Sequence, residues 1–232
     1  MFRGMEARIR LLPVVAVVVT LAAALPGLQG CKKNESAKDG GPSPKAPPEL
    51  VNRTVPGTPL ELRVPATWTL QPVDPGPAPE APAKPDGGPP ARPQIELRSR
   101  TLLSARAPEG ALGEAGRPWL MVLHDPFLPA GTTSTDYLEA QRASNQGVAR
   151  MEHVEAERSR RQGRPTYHVR DEWDAPFGDK QARMSQEALL LIDAEDDALH
   201  GYAVVLTLLE EDRKQLATVI DEMFDSVRFE DD

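Results

Sequence analysis

The chain of 232 residues carries 27 Lys and Arg against 35 Asp and Glu, which gives a formal net charge of −8. This acidic balance argues against nucleic acid as a partner, because phosphate contacts depend on Lys and Arg. At about 150 residues per domain, the length predicts one domain with flexible segments. Cys31 is the only cysteine, so the rest of the chain offers no disulfide, no thiolate nucleophile and no Cys-ligated zinc site.

The N-terminal residues have the features of a bacterial export signal. Three Arg and one Glu in residues 1–10 precede an almost purely apolar stretch at residues 11–25. This stretch is shorter than the roughly 20 residues that span a bilayer, so it favours a signal peptide over an uncleaved membrane anchor. The boundary Leu28-Gln29-Gly30-Cys31 resembles the lipobox of bacterial lipoproteins. The resemblance implies cleavage after residue 30 and attachment of lipid, including palmitate, to Cys31.

The segment after the cysteine has the composition of a tether. Residues 32–53 are polar, rich in Gly, Pro and Lys, and hold too few large apolar side chains to offset the entropy of ordering. We therefore predict a signal peptide at residues 1–30, a lipidated flexible tether at residues 31–53 and a single domain at residues 54–232. Lys32 is not the acid that follows the cysteine in many inner-membrane lipoproteins. The resemblance thus favours the outer membrane, with the domain facing the periplasm or the cell surface.

The first part of the domain predicts strands around a proline-rich insert. Residues 60–64 alternate apolar and polar side chains, which is the pattern of a half-buried strand. Residues 71–93 contain nine prolines, which fix φ and remove ladder donors, so we predict an inserted loop there. Alternation returns at residues 94–103, and the apolar run at residues 119–123 predicts a more buried strand.

The second part predicts a helix, four strands and a final helix. Thr133 as N-cap and Asp136 in the first turn predict a helix that runs to about Asn145 and stops at Gly147. The predicted strands are residues 148–157, 165–173, 182–192 and 199–209, with turns at residues 158–164 and 193–197. The last helix, at about residues 211–226, has its apolar side chains at helical spacing on one face.

Sequential hairpins with two helices predict an α+β fold, in which a few helices sandwich an antiparallel sheet. The pattern resembles the PsbP-like family over about residues 58–229. The resemblance rests on the Val64-Pro65-Ala66-Thr67-Trp68 turn, on the helix after a Thr- and Ser-rich start, on the successive strands, and on the last helix leading into Ser226-Val227-Arg228-Phe229. It implies a binding or scaffolding domain and carries over no site residue.

Histidines are the first candidates for metal binding or catalysis. The chain contains His124, His153, His168 and His200. They lack HExxH spacing and have no cysteine nearby, so they do not form a recognisable zinc motif. If His153 and His168 faced each other across their hairpin, they would hold a metal together with Glu155. Two solvated surface histidines are the favoured interpretation.

Two other stretches combine acids with histidine or aromatic side chains. His124-Asp125 precedes Pro126 and is predicted to be a polar strand end that turns at the proline. Residues 171–179, DEWDAPFGD, place acids around Trp173 and Phe177, but they lack the alternating ligands and closing Glu of a calcium loop. We predict an exposed connection there. The sequence also has no GxSxG, Walker or dinucleotide-binding motif, so we predict neither a cofactor nor an enzyme.

A cluster of arginines is the predicted partner-binding surface. Arg158, Arg160, Arg161 and Arg164 crowd the predicted turn at residues 158–164 of an otherwise acidic chain. A guanidinium group donates two parallel hydrogen bonds to phosphate or carboxylate groups. We therefore predict contact with an anionic envelope surface or an acidic partner, and a merely solvated turn is the alternative.

Together these observations favour a membrane-anchored cell-envelope lipoprotein with a non-catalytic binding, assembly or scaffolding domain. Its expected partners are the membrane, through the N-terminal lipid, and an envelope protein or anionic surface. One alternative is a lipid or small-ligand carrier, which needs an apolar cavity. The other is a metal-dependent hydrolase, which needs the histidines to converge.

Overall fold

The computed structural model describes residues 48–74, 76, 95–108, 117–145, 148, 150–177, 180–195 and 198–230. The predicted signal peptide, Cys31 and most of the predicted tether and proline insert lie outside these residues. In chain order, the elements of the described part are β1 (Leu50–Thr54), β2 (Leu60–Pro65), β3 (Thr69–Gln71), β4 (Arg100–Arg106), β5 (Trp119–Leu128), α1 (Ser134–Ser144), β6 (Glu152–Arg161), β7 (Arg164–Phe177), β8 (Lys180–Glu195), β9 (Ala198–Leu209), α2 (Glu210–Asp225) and β10 (Arg228–Phe229).

Seven of the strands form one antiparallel sheet in the order β3-β4-β5-β9-β8-β7-β6. Strands β6 to β9 are consecutive in sequence and adjacent in space, as expected for a chain of hairpins. A smaller antiparallel sheet has the order β1-β2-β10. The predicted α+β class, with antiparallel sheets and two helices, is confirmed.

The central strands of the large sheet bury side chains on both of its faces, and successive residues of a strand point to opposite sides. On one side, here called the α1 face, Leu190 of β8 packs in a cluster with Tyr137 of α1. On the other side, the α2 face, Leu189 of β8 packs in a cluster with Ile220 of α2 and Leu62 of the small sheet. The sheet is thus sandwiched between α1 and a layer made of α2 and the small sheet.

The two helices begin and end close to the predicted residues. The Thr133 hydroxyl group accepts a hydrogen bond from the Asp136 amide, and the Asp136 carboxylate accepts one from the Thr133 amide, which forms a capping box. Tyr137 of α1 then packs against Gly201, where a Cβ atom would lie 2.7 Å from two ring carbons of the tyrosine. Glycine at this position lets α1 approach β9 closely.

Strand β1 begins at Leu50, within the residues predicted to form the tether. Leu50 is buried, and β1 pairs with β2 along its whole length, with Leu50 opposite Pro65. Pairing with β2 and burial of Leu50 supply the stabilisation that composition alone did not indicate. The predicted boundary at residue 53 is therefore wrong by a short strand.

Two strand predictions before α1 need correction. The strand predicted at residues 94–103 is observed as β4 at Arg100–Arg106. Strand β5 does not turn at Pro126 but continues to Leu128. Its register with β9 shifts between Asp125 and Leu128, and such a bulge needs no ladder N–H from the proline.

The predicted polar turn at residues 158–164 is mostly strand. Strand β6 runs to Arg161 and β7 begins at Arg164, so only two residues make the turn. Gln162 has φ 46° and Gly163 has φ 78°, the positive values of a type I′ turn, whose twist matches that of the flanking strands. The charged run indicated solvent exposure, and β6 is exposed because it is an edge strand.

The predicted connections at residues 171–179 and 193–197 are likewise shorter than expected. Strand β7 extends to Phe177, and β8 runs from Lys180 to Glu195. Trp173 pairs with Met184 in a regular ladder. Long antiparallel partners thus keep acid-rich residues in the sheet, where Asp171 is buried and Asp174 is exposed.

Candidate functional site

The short turn between β6 and β7 sorts the four arginines onto two faces of the sheet. Cross-strand partners point to the same face, and successive residues point to opposite faces. Arg161 is the partner of Arg164, whereas Arg158 is the partner of Tyr167. The Tyr167 hydroxyl group contacts α1. Arg158 and Arg160 therefore lie on the α1 face, and Arg161 and Arg164 lie on the α2 face.

The two arginines on the α2 face are paired with acids of the same chain. Arg161 donates to Asp225 of α2 at 3.1 Å, and Arg164 donates to Asp193 of β8 at 2.7 Å. The Arg164 guanidinium carbon also lies 4.1 Å from the centroid of the Phe229 ring, in cation–π geometry. Both side chains are half-buried, at 23% and 29% exposure. They connect the hairpin to the C-terminal segment.

Gln162 completes this attachment from the turn itself. Its side-chain amide donates to the Phe229 carbonyl at 2.8 Å, and its carbonyl accepts from the Phe229 amide at 2.6 Å. Phe229 is 1% exposed, and its ring meets that of Tyr202 edge-on at 5.6 Å. Nothing in the sequence marks Gln162 for this long-range contact, because it is a neutral side chain within a charged run.

Arg158 and Arg160 differ from the other two in being exposed. Arg160 donates to the Gly163 carbonyl at 3.1 Å. Among the described residues, neither Arg158 nor Arg160 has a carboxylate within ion-pair distance. These two guanidinium groups are available to an external anion, and the other two are occupied.

The backbone of β6 is also open on its outer side. Strand β6 pairs only with β7 in the described sheet, so it is an edge strand. In a two-residue turn the Arg161 carbonyl accepts the Arg164 amide, which makes this pair the hydrogen-bonded type. Hydrogen-bonded and non-bonded pairs alternate along an antiparallel ladder. The N–H and C=O groups of Ala156, Arg158 and Arg160 therefore point away from β7.

Two of the four histidines converge. His124 Nε2 lies 3.0 Å from His200 Nδ1, and the His124 ring stacks on Tyr202 at 4.8 Å. Burial, followed by the positive charges of His200 and Arg100, lowers the pKa of His124 to about 4. His124 is therefore neutral at pH 7, and its Nε2 shares a hydrogen bond with His200 Nδ1. Within the described part of the chain no group of three or more His, Cys, Asp or Glu residues could hold a metal ion.

The other two histidines lie on opposite faces of the sheet. His153 Nδ1 is 2.6 Å from Asp171 Oδ1, whereas His168 Nε2 is 3.1 Å from Glu187 and its ring contacts Phe224 of α2. The hypothesis of a metal between His153 and His168 is therefore wrong. A register shift between His153 and Glu155 adds one residue to β6 and changes the face on which the following residues lie.

A buried carboxylate stabilises each helix against the sheet. On the α1 face, Asp125 accepts hydrogen bonds from Ser99 at 2.7 Å and from Tyr137 at 2.8 Å, and burial raises its pKa. On the α2 face, Glu187 meets His168 and, at 2.5 Å, Arg213. Burial alone would raise the pKa of Glu187, but the hydrogen bond from His168 and the charge of Arg213 leave it lowered.

Asp212 is another buried carboxyl group, in the first turn of α2. It is 1% exposed, and neither carboxylate oxygen has a hydrogen-bond partner in the described part of the chain. Burial and the neighbouring Glu211 raise its pKa to about 6. The positive end of the helix dipole offsets part of the cost of its charge.

The structure also contains an open cavity of about 380 Å³ between the small sheet and the end of α2. Its lining residues are Asn52, Glu61, Leu62, Arg63, Glu222, Asp225, Ser226 and Arg228. Arg228 donates two hydrogen bonds to Glu61, at 2.8 and 3.0 Å. Charged side chains dominate the lining, which does not suit an apolar ligand.

Comparisons with known proteins show resemblance in fold only. No family model and no curated protein matches the sequence. Among solved structures, the chain is similar to the cyanobacterial PsbP protein of Synechocystis sp. PCC 6803, with a TM-score of 0.45 and 15% identity over 78% of this chain and 92% of that one.

Two further structures resemble the chain at a similar level. One is LpqN of Mycobacterium tuberculosis, described as involved in cell envelope biogenesis, with a TM-score of 0.48 and 10% identity over 77% of this chain and 90% of that one. The other is the Ran-binding protein Mog1p of Saccharomyces cerevisiae, with a TM-score of 0.44 and 10% identity over 79% of this chain and 96% of that one. In the part of the chain that the structure describes, neither helix has the length and apolar character to cross a bilayer.

Proposed function

We propose that the chain is a cell-envelope lipoprotein, anchored by lipid on Cys31, whose domain binds another envelope component without catalysing a reaction. The observation that carries this proposal is the position of the only cysteine, directly after a basic and apolar signal and within Leu28-Gln29-Gly30-Cys31. The outer membrane is the proposed location, because Lys32 follows the cysteine.

The distribution of side chains in the domain supports binding over catalysis. His153 and His168 each contact a carboxylate, and His124 and His200 contact each other. In the part of the chain that the structure describes, these side-chain contacts engage all four histidines in the fold. A carrier of apolar lipid would need an apolar cavity, whereas the open cavity beside α2 is lined mainly with charged groups.

We assign partner binding to the exposed arginines of the four-residue cluster. Arg158 and Arg160 supply the guanidinium groups that meet the partner. Arg161 and Arg164 support this surface from the opposite face, where they hold the hairpin on α2 and β10.

Metabolic labelling with palmitate tests the anchor. We expect the wild type to be labelled and recovered with membranes, and the Cys31→Ala variant to remain unlabelled. Several acyl chains together give stable anchoring, since each buried methylene contributes about 0.8 kcal/mol. Equal labelling of the two forms would contradict the proposal.

Photo-crosslinking in intact cells tests the binding surface. A photoreactive amino acid at position 158 should give a protein adduct of defined size, and the same group at Lys214, exposed on α2, should not. Adducts from both positions, or from neither, would contradict the assignment of partner binding to the arginines.

A further inference from the structure

The outer edge of β6 combines backbone groups that point away from β7 with two cations, Arg158 and Arg160, that have no carboxylate partner among the described residues. The amide and carbonyl groups of Ala156, Arg158 and Arg160 point outwards, and the side chains of the same residues share the α1 face. Pro165 is the partner of Arg160 and has no N–H group to donate. A proline fits this position, because Arg160 and Pro165 form a non-hydrogen-bonded pair, in which no N–H of β7 is needed by β6.

The charges along β6 are separated by face. On the α1 face Arg158 and Arg160 are exposed cations two residues apart. On the α2 face Glu155 and Glu157 are exposed acids, and Glu155 lies 4.0 Å from Arg170. An added strand would therefore meet cations on one side and acids on the other.

We infer that the outer edge of β6 receives an extended segment of a partner protein as an added strand, with acidic side chains at alternate positions that pair with Arg158 and Arg160. Backbone hydrogen bonds to the edge supply affinity, and the alternate side chains supply specificity. The residues between the acids, which face Glu155 and Glu157, are neutral or basic. This inference rests on the proposed function, because it names the kind of partner that the binding surface takes.

Charge alone would not produce this arrangement. Edge strands of monomeric proteins are often protected by charged side chains, and lysine is common among them. Here the register shift at Val154 limits the open edge to residues 155–161. Within that length, two of the three outward amides belong to Arg158 and Arg160, the residues whose guanidinium groups lack a carboxylate partner in the described part of the chain. A purely protective pattern would not require that coincidence.

Peptide binding to the full-length protein in detergent tests the inference. The probes are a fluorescent nine-residue peptide of alternating Glu and Thr, a peptide of the same composition with its Glu residues in one block, and an alternating Lys and Thr peptide. We expect the alternating acidic peptide to bind at least ten times more tightly than either of the others. A tenfold difference corresponds to about 1.4 kcal/mol.

Arginine variants test the side-chain contribution. The double variant Arg158→Glu with Arg160→Glu should bind the alternating acidic peptide at least ten times more weakly. The matched control is Arg63→Glu with Lys214→Glu, which changes the net charge equally at exposed positions outside β6. It should bind within twofold of the wild type. Equal losses in the two double variants would overturn the inference.

A proline pair tests the backbone contribution. Ala156→Pro removes an amide that points outwards, so the protein should melt as the wild type does and lose peptide binding at least tenfold. Glu157→Pro removes an amide that is bonded to β7, so its melting temperature should fall. If Ala156→Pro instead lowers the melting temperature and Glu157→Pro does not, the assignment of the open edge is wrong.

The remaining outcomes separate this inference from the proposed function. If the wild type binds the block peptide and vesicles of phosphatidylglycerol as tightly as the alternating peptide, charge alone is recognised and strand addition is overturned. If no peptide binds while palmitate labelling still depends on Cys31, the lipoprotein proposal stands and the partner inference fails.

Discussion

The two sides of the β6–β7 hairpin use the same residue type for different purposes. Arg161 and Arg164 face α2 and are committed to Asp225, Asp193 and the Phe229 ring. Arg158 and Arg160 face the other way and are exposed, with no carboxylate partner in the described residues. The difference comes from strand alternation, since residues 158 and 161 are separated by an odd number of steps.

The comparison shows how a charged cluster divides into structural and binding residues. An arginine that is half-buried and paired has already lost its side-chain freedom on folding, and an external anion would have to displace its partner. An exposed arginine keeps its hydration and its freedom until a partner arrives. Arg161 and Arg164, here called the inner pair, should therefore affect stability. Arg158 and Arg160, the outer pair, should affect binding.

The largest expected effect on stability comes from truncating Phe229, which Arg164 contacts on the α2 face. Its ring is 1% exposed and packs between Arg164 and Tyr202. We predict that Phe229→Ala lowers the free energy of unfolding by about 4 kcal/mol, because a large buried aromatic side chain leaves a cavity when truncated. Urea unfolding followed by circular dichroism measures this. A loss below about 1 kcal/mol would contradict tight packing of the Phe229 ring against Arg164 and Tyr202.

The next effect is a pH dependence of stability. It comes from His124, which stacks on Tyr202 beside Phe229. His124 has a pKa of about 6.5 in the unfolded chain and about 4 in the folded chain. Between these pH values it is therefore protonated in the unfolded chain and neutral in the folded chain. Stability should fall as the pH drops from 6.5 to 4. By linkage this single group accounts for about 3 kcal/mol.

The variant His124→Phe isolates that contribution. Phenylalanine keeps the aromatic stack on Tyr202 but does not titrate. The wild type should lose more stability than the variant between pH 7 and pH 4, by about 3 kcal/mol, as measured by urea unfolding at each pH. Parallel pH profiles would contradict the burial of His124 as a neutral side chain.

The smallest effect compares one arginine from each side. Arg164→Met keeps an unbranched side chain but loses the Asp193 ion pair and the cation–π contact, so stability should fall by about 1 kcal/mol. Arg158→Met is the matched control and should change stability by less than about 0.5 kcal/mol. Thermal melts of the two variants in parallel make the comparison. A larger loss for Arg158→Met would reverse the roles assigned to the two sides.

The sequence predicted most of the fold because its signals there are local. The Thr133 and Asp136 cap, the apolar face of α2 and the alternation in β2 each act over a few residues, and each predicted element is observed near its predicted place. What was missed depends on long-range contacts. Leu50 becomes a strand residue only because β2 pairs with it.

The candidate site was predicted by composition but not by geometry. The arginine cluster is visible in the sequence, yet its division into two faces depends on the exact turn. Gln162-Gly163 is a less familiar type I′ pair than Asn-Gly, and a turn one residue longer would have changed the register between the arginines of β6 and Arg164. The contact between His124 and His200 likewise requires the register of β5 with β9.

Amide hydrogen exchange along β6, followed by NMR, tests the central claim most directly, because it reads the open edge without any substitution. In the free protein the amides of Ala156, Arg158 and Arg160 should exchange rapidly, while those of Glu157 and Ser159, bonded to β7, should exchange slowly. Addition of the alternating Glu and Thr peptide should slow the first group and leave the second unchanged. Uniform protection along β6 in the free protein, or no change in the first group when the peptide is added in excess, would contradict an outer edge that is open for a partner strand.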